Sequence, residues 1–407
     1  MKDTALFAQL LGLLPPWQVT EVIPDLETKS ITIRISWPEG MSVPCPECQQ
    51  PCSIYDHRSE RAWRHLDTMQ FKTYLVSEVP RVSCKSHGVK SMKVPWADLK
   101  GQFTALFERF AIDVLLSASS KSKAADLLGL SWDEVHHIQK RAVQRGLDRR
   151  DISEVSHLGI DEKSFLKGHH YASLLYDIDN KRVLNVVEHR TKEAATELLK
   201  GLPEEVKSGI EAIAVDMWDP FLSAIKENLP NAEIVHDKYH IVSYLTKAVD
   251  EVRRKEHKSL KVNGDDVLKG TKYLWLKNPE NWTEENQASF NELQSKGLKI
   301  GRAWAMKETF QNLWNYSYQK SAKKFFDEWY WWATHSRLEP MIKVAKMLKR
   351  HLDNILSYLK HRITNATAEG FNSKIQAIKA AARGFRNFSN YRIAILFHCG
   401  RLQLHPH

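Results

Sequence analysis

The run HLGIDEKSFLKGHHYASLLYDIDNKRVLNVV, from His157 to Val187, decides how the chain is built. It opens as a buried strand with Leu158, Gly159 and Ile160, then sets two carboxylates, Asp161 and Glu162, where the apolar run should continue. YASLLYDI and RVLNVVEH read as two more strands around a turn at Asp179-Asn180. Side chains alternate faces along a strand, so Asp161 and Glu162 point to opposite sides of the sheet and only one of them serves a given site. Glu162 is then expected to pair with Lys163 or a neighbouring basic group.

Moving outward, a helix EAATELLK stops at Gly201, and the buried strand EAIAVDMW leads into a helix starting near Pro220. A further strand, AEIVHDKYH, follows. From about residue 242 to 362 the pattern is helical and rich in Trp and Lys, with WYWW at 329–332, and the last helical block holds TAEGFNSKIQAIKAAARGF. Antiparallel strands first and parallel ones after make a mixed sheet. Strand-strand-strand-helix-strand-helix-strand-helix is the order of a ribonuclease H-like fold, here with a helical insertion before its last helix. Upstream, ITIRISW alternates with Ile31, Ile33 and Ile35 on one face, residues 41–96 hold the cysteines among short strands, and residues 103–150 are helical. The chain is thus expected to be a multidomain α/β protein. A zinc-binding domain (1–98) and a helix-turn-helix domain (99–152) precede a catalytic core (153–241 and 363–407) interrupted by a helical insertion (242–362).

Charge narrows the partners. Lys and Arg number 59 against 49 Asp and Glu, and residues 341–392 carry eleven of the former against two acids, Asp353 and Glu369. A basic surface attracts polyanions, so a polyanion such as double-stranded DNA is a plausible partner, beside the plain alternative of a soluble protein that is merely basic. Five cysteines, four of them before residue 85, suit a reducing compartment with a local metal site better than a disulfide framework. No signal peptide and no apolar run near the ~20 residues of a membrane span is apparent, so a cytoplasmic protein without membrane partners is expected.

Three motifs carry chemistry. Cys45 and Cys48 form C-x2-C, and Cys84 and His87 form C-x2-H about 35 residues on. Three thiolates and an imidazole suit tetrahedral zinc in a closed, structural site, with Cys52, His57 and His65 as substitutes. From Ser119, SSKSKAADLLGLSWDEVHHIQKRAVQRGLDRR reads as a short helix, a turn at Gly129 and a second helix opened by a Ser131–Glu134 capping box. His136, Lys140 and Arg141 on that second helix can reach bases and phosphates.

The third motif is a set of acids. Asp216 ends the strand Ala212–Val215 as Asp161 ends its own, so neighbouring strands would bring the two carboxylates to one end of the sheet. Two close carboxylates repel unless a cation lies between them, and Mg2+ (or Mn2+) accepts few carboxylates while keeping room for phosphate oxygens. Two candidates offer a third ligand: Asp237, which also ends an apolar run, and Glu369. At about 100° per residue, Phe371, Ile375, Ile378 and Ala382 share one face of the last helix, and Glu369, Asn372, Gln376, Lys379 and Arg383 share the opposite one.

Together the cysteine knuckles, AADLLGLSWDEV, LGIDEKSFLKGH, AVDMWDPF, HDKYHIV and NATAEGFNSKIQAIKAAARGFRNF resemble the ISL-three family of insertion-sequence transposases, in the right order over nearly the whole chain. One departure is CKSH, with His87 where the family has cysteine as often as histidine. The resemblance implies a DDE transposase with a metal triad of Asp161, Asp216 and Glu369, leaving Asp237 and His240 near the site but off the metal. It implies that the two N-terminal modules recognise terminal inverted repeats, and that the enzyme cleaves DNA and joins the ends to target DNA by metal-dependent transesterification. Lys374, Lys379, Arg383 and Arg386 would grip phosphates, and a homodimer would hold two element ends. The Trp-rich insertion reads first as an aromatic core and second as a DNA-packing surface. Two rivals remain: a catalytically silent, transposase-derived DNA-binding regulator, and a nuclease that cuts without joining.

Overall fold

The computed structural model describes residues 2–98, 101–166, 168, 170–363 and 366–406, and side chains throughout these except at 366–369. The chain forms two compact units, Met1–Arg150 with Leu402–His407, and Asp151–Arg401.

The first unit holds two four-stranded sheets. In one, β1 (Gln18–Asp25), β2 (Ser30–Ser36), β5 (Arg61–Arg64) and β6 (Lys72–Ser77) lie in the order β1-β2-β6-β5; in the other, β3 (Val43–Pro44), β4 (Pro51–His57), β7 (Pro80–Cys84) and β8 (Gly88–Ser91) lie in the order β3-β4-β7-β8. The alternation expected of ITIRISW holds: Ile31, Ile33 and Ile35 are buried beneath Trp17, Trp63 and Trp96. Three helices follow, Ala105–Ser117, Lys121–Leu128 and Trp132–Asp148. Gly129 ends the second with a left-handed φ of 62°, a conformation glycine adopts without Cβ strain. The Ser131–Glu134 capping box starts the third.

Residues 402–406 return to this unit. Arg145 and Arg149 donate to the carbonyls of Leu404 and His405, and His405 Nε2 lies 2.8 Å from Asp113. A Cβ on Gly146 would lie 2.5 Å from Leu402 Cβ, so glycine sits mid-helix there to let the returning segment close in.

The second unit is built on one five-stranded sheet. β9 (His157–Leu166), β10 (His170–Asp177) and β11 (Arg182–Glu188) are antiparallel; β12 (Ala212–Val215) pairs parallel to β9, and β13 (Glu233–His236) parallel to β12, giving β11-β10-β9-β12-β13. Helices Lys192–Lys200 and Asp219–Asn228 cover one face, packing on Leu158, Ile160, Leu175, Ile213 and Val215. The other face, with Ala212, Ala214 and Val235, lies on the side of the helices Ala366–Ala381 and Phe388–Cys399. Between β13 and those last helices runs a helical region beginning with Lys238–Val262. Its interior is aromatic: Trp275, Phe290, Phe310, Phe326 and Trp329 are buried together, whereas Trp331 of WYWW is exposed. The core reading of the tryptophans therefore holds for most of them.

Candidate nucleic-acid processing site

The acids meet because the strands carrying them are neighbours. β9 and β12 run parallel in register from His157↔Ala212 to Gly159↔Ala214, which sets Asp161 level with Asp216; Asp216 directly follows β12, but Asp161 does not end its strand as expected, because β9 continues beside β10 to Leu166. Counting by twos from buried Leu158 and Ile160 puts Asp161 on the face opposite them, and counting from Ile213 and Val215 puts Asp216 on that same face. Both are 8% exposed. Each takes the N–H of the next residue on one oxygen: Glu162 N to Asp161 Oδ1 at 2.8 Å, Met217 N to Asp216 Oδ1 at 2.6 Å. Among the described residues, neither has a Lys or Arg ion-pair partner. Asp161 Oδ2 accepts from Asn372 Nδ2 at 2.7 Å, and Asp216 Oδ2 lies 3.7 Å from His240 Nδ1. Two buried carboxylates without a fixed cation suit a divalent metal with oxygen ligands.

Glu162 pairs with Arg190 at 2.9 Å, the neighbouring basic group expected for it in place of Lys163. Arg190 in turn lies over the Trp218 ring, 4.5 Å from its centroid. Opposite faces do not isolate Glu162 from the acid pair. Burial first raises its carboxyl above the usual range; Arg190 opposes this, and Asp161 and Asp216 add to it.

The start of the helix Lys238–Val262 supplies the far wall. Asp237 caps it by accepting Tyr239 N at 3.3 Å, and His240 stands between Asp216 and Asp237, 3.8 Å from the latter. Tyr244, one turn on, has its hydroxyl pushed above the ordinary range by burial and then by the Asp216 carboxylate. Beneath them His236 is buried and lies 3.1 Å from the Val215 carbonyl through Nδ1; burial pushes its pKa down to about 4.

Glu369 belongs to the helix Ala366–Ala381, but its side chain lies outside the described residues. Three positions on, Asn372 makes the bond to Asp161. Ile375 is buried and Phe371 stacks on Tyr176 at 5.4 Å, as the apolar face requires. The helix ends sooner than the expected stripe. Arg383 has a φ of 52° and Gly384 N closes back on the Lys379 carbonyl at 2.8 Å, so Ala382 and Arg383 are exposed residues of the turn. Lys379 Nζ donates to the Ser164 carbonyl at 2.9 Å and Lys374 Nζ to the His398 carbonyl at 2.5 Å, while Arg386 is exposed. Asn372, Arg190 and Tyr244 were not singled out from sequence. Asn372 had a usable signal, its place on the Glu369 face; Arg190 and Tyr244 come from separate elements and had none.

In the first unit, ligand atoms of Cys45, Cys48, Cys84 and His87 all lie within 4.8 Å of one another. Cys48 and Cys84 sulfurs are 3.8 Å apart, Cys45 Sγ is 3.8 Å and Cys84 Sγ 3.5 Å from His87 Nδ1. A tetrahedron with Zn–S near 2.3 Å has edges of about 3.8 Å, so the spacing fits zinc. Backbone N–H groups, led by Ser86, draw the Cys84 pKa down to about 7, favouring the thiolate that a metal binds. Of the substitutes, Cys52 stands beside the cluster, near Cys84, with its Sγ donating to the Gln50 carbonyl, and His65 Nδ1 lies 2.9 Å from Thr104 Oγ1.

On the helix Trp132–Asp148, Lys140 is exposed. Arg141 pairs with buried Glu108 at 3.1 Å, a carboxylate it shares with Arg145. His136 stacks on Trp132 and meets Lys121 Nζ at 2.9 Å; burial, aided by Lys121, pushes its pKa down to about 4.

Comparison with known proteins adds the following. The ISL3 family profile described as "Transposase" matches residues 158–395. A profile for the zinc-finger of transposase IS204/IS1001/IS1096/IS1165 matches residues 42–87, and one for the helix-turn-helix domain of transposase family ISL3 matches residues 92–143. The chain is similar to the transposase for insertion sequence element IS1557 of Mycobacterium tuberculosis (strain H37Rv), 26% identical with 95% of this chain and 93% of the relative covered. It is similar also to the transposase for insertion sequence element IS1001 of Bordetella parapertussis, 26% identical over 87% of this chain and 91% of the relative.

Proposed function

Because the chain belongs to the ISL3 family of transposases, we propose that it binds the terminal inverted repeats of an insertion sequence, cleaves DNA phosphodiester bonds and joins the freed ends to target DNA. The observation that carries the chemistry is the pairing of β9 with β12, which sets two buried carboxylates, without Lys or Arg partners among the described residues, level with one another. We read this sheet, with its antiparallel strands first and β9 central, as ribonuclease H-like.

In this reading Asp161 and Asp216, with Glu369 from the helix carrying Asn372, are the residues that would hold Mg2+ (or Mn2+). The ion supplies positive charge against the scissile phosphate and lowers the pKa of an attacking water or 3′-hydroxyl. The chain's own groups prepare the site. The backbone N–H groups of Glu162 and Met217 and the Asn372 amide fix the carboxylates, so no reorientation is needed when charge develops. His240, between Asp216 and Asp237, is placed to accept and return a proton at the edge of the pair. Lys374, Lys379, Arg383 and Arg386 offer phosphate contacts, the two lysines after leaving their carbonyl partners. Cys45, Cys48, Cys84 and His87 would hold a structural zinc. Lys140, with His136 and Arg141 behind it, serves the helix-turn-helix, and two copies would pair the two element ends. No described helix is long and apolar enough to cross a membrane.

The test is a reaction of purified protein, Mg2+ and DNA bearing the element's ends. Wild type is expected to cleave and join. Asp161→Asn and Asp216→Asn should bind the ends normally and cleave at least about 10³-fold more slowly, the loss of some 4 kcal/mol of charge stabilisation. Binding without cleavage in wild type leaves a regulator, cutting without joining leaves a nuclease, and undiminished cleavage by Asp161→Asn removes the triad.

A further inference from the structure

The opposite end of the same strands carries a second cluster that this chemistry does not use. His157 begins β9, Glu211 immediately precedes β12, and His361 closes the short helix Tyr358–His361 where the helical region returns to the sheet. Their ligand atoms all lie within 4.8 Å of one another. The site is about 13 Å from Asp161, four residues along β9 at ~3.3 Å each, so it is separate from the acid pair.

Three features set these groups up for a metal. The His157 ring is held from behind: Nδ1 lies 3.0 and 3.1 Å from the two oxygens of Asp179, which also accepts the His157 backbone N–H at 3.2 Å. That leaves Nε2 free to coordinate, and a carboxylate on the far nitrogen is the usual support for a metal-binding imidazole. The His361 side chain is only 6% exposed, and its Nε2 faces a carboxylate. Glu233 Oε2 stands 3.1 Å from that nitrogen, and its other oxygen is taken by Lys360. A carboxylate beside a buried imidazole holds and orients the ring, as it does for metal-binding histidines. Thirdly, backbone bonds fix the frame. Glu211 N donates to Ser156 O and Glu233 N to Glu211 O, both at 2.9 Å, and Arg362 is anchored to the carbonyls of Trp314 and Tyr316.

We propose that His157, Glu211 and His361 form a second divalent-metal site of the zinc class, with Glu233 beside it. Two imidazoles and a carboxylate match Zn2+ and its Co2+ substitute, whereas Mg2+ prefers oxygen alone. The site is a staple. It ties the exit of the helical region, residue 361, to the starts of β9 and β12, a few residues before the helix that carries Glu369.

The test uses the full chain in an Asp161→Asn, Asp216→Asn background, which removes the acid pair as a competing ligand set. The protein is stripped with chelator, reloaded with Zn2+ and its metal counted. Two equivalents are expected, falling to one in Glu211→Gln and in His361→Gln. Asp179→Asn should weaken the second equivalent by about 10–100-fold. Co2+ should show sulfur-to-metal charge transfer for one equivalent only, and in a Cys45→Ser, Cys84→Ser chain the remaining Co2+ should lack it. A count of one in the unaltered cluster overturns the proposal, as does a second equivalent that persists in Glu211→Gln. Because Glu211 is exposed, that variant reports on binding even where His361→Gln fails to fold. The metal count is independent of DNA cleavage, so the two readings fail separately.

Discussion

Asp161 and Glu162 show how far one residue's position along a strand determines its task. The period of two assigns them to opposite faces, and the faces differ in what they meet: Asn372 for one, Arg190 for the other. Electrostatics nonetheless reaches across the sheet edge, so Glu162 feels the acid pair without pointing among it. His236 gives this scale its sharpest prediction. Its pKa is about 4 in the folded chain against ~6.5 unfolded, so between those values the unfolded chain binds more protons and stability falls as pH falls. The unfolding free energy should drop by about 2 kcal/mol from pH ~7 to pH ~5 on this account. His236→Asn should lower stability at neutral pH yet flatten that slope, measured by denaturant unfolding at several pH values. An unchanged slope would mean that the ring is not held neutral.

At the scale of elements, what was legible in the sequence is what local chemistry decides. Alternation in ITIRISW, the Gly129 turn, the Ser131–Glu134 box and the stop at Gly201 each depend on neighbours within a few residues, and each appears in the structure. The strand pairing that joins Asp161 to Asp216 was reachable because each follows an apolar run, but that β9 continues past Asp161 to Leu166 was not, since it depends on pairing with β10. Less legible was the end of the Glu369 helix. AAARGF carries no proline, and only the left-handed turn at Arg383 and Gly384 stops it. Nor could spacing reveal that Arg141 serves Glu108, since that bond joins separate helices. The cysteine knuckles were legible in pairs, and their union depended on β4 pairing with β7. Binding a metal there couples to folding of the element. Cys48→Ser should therefore lose one zinc equivalent and expose the β3-β4-β7-β8 sheet to proteolysis, read by limited digestion with and without chelator. Equal resistance with and without metal would show that the sheet stands alone.

The molecule as a whole places its basic charge unevenly, with nine of its ten net positive charges between residues 341 and 392, eleven cations less two acids. Its two units are also not consecutive in sequence, because residues 402–406 belong with the first. Gly146→Ala tests that arrangement. The added methyl meets Leu402 Cβ, which overpacks a tight contact and should cost about 1–3 kcal/mol despite alanine's better helix propensity. Thermal unfolding of the full chain would show it, and a chain ending at Arg401 should remove the penalty. Stabilisation in the full chain would mean the contact is looser than drawn. There is a consequence for the order of manufacture. A ribosome adding about 5–20 residues per second needs on the order of tens of seconds to pass from Arg150 to Leu402. During that interval the first unit waits with Arg145 held by Glu108 alone and Arg149 without the His405 carbonyl. A message broken anywhere before codon 402 would therefore release a first unit lacking its own closing strap, whatever the fate of the rest.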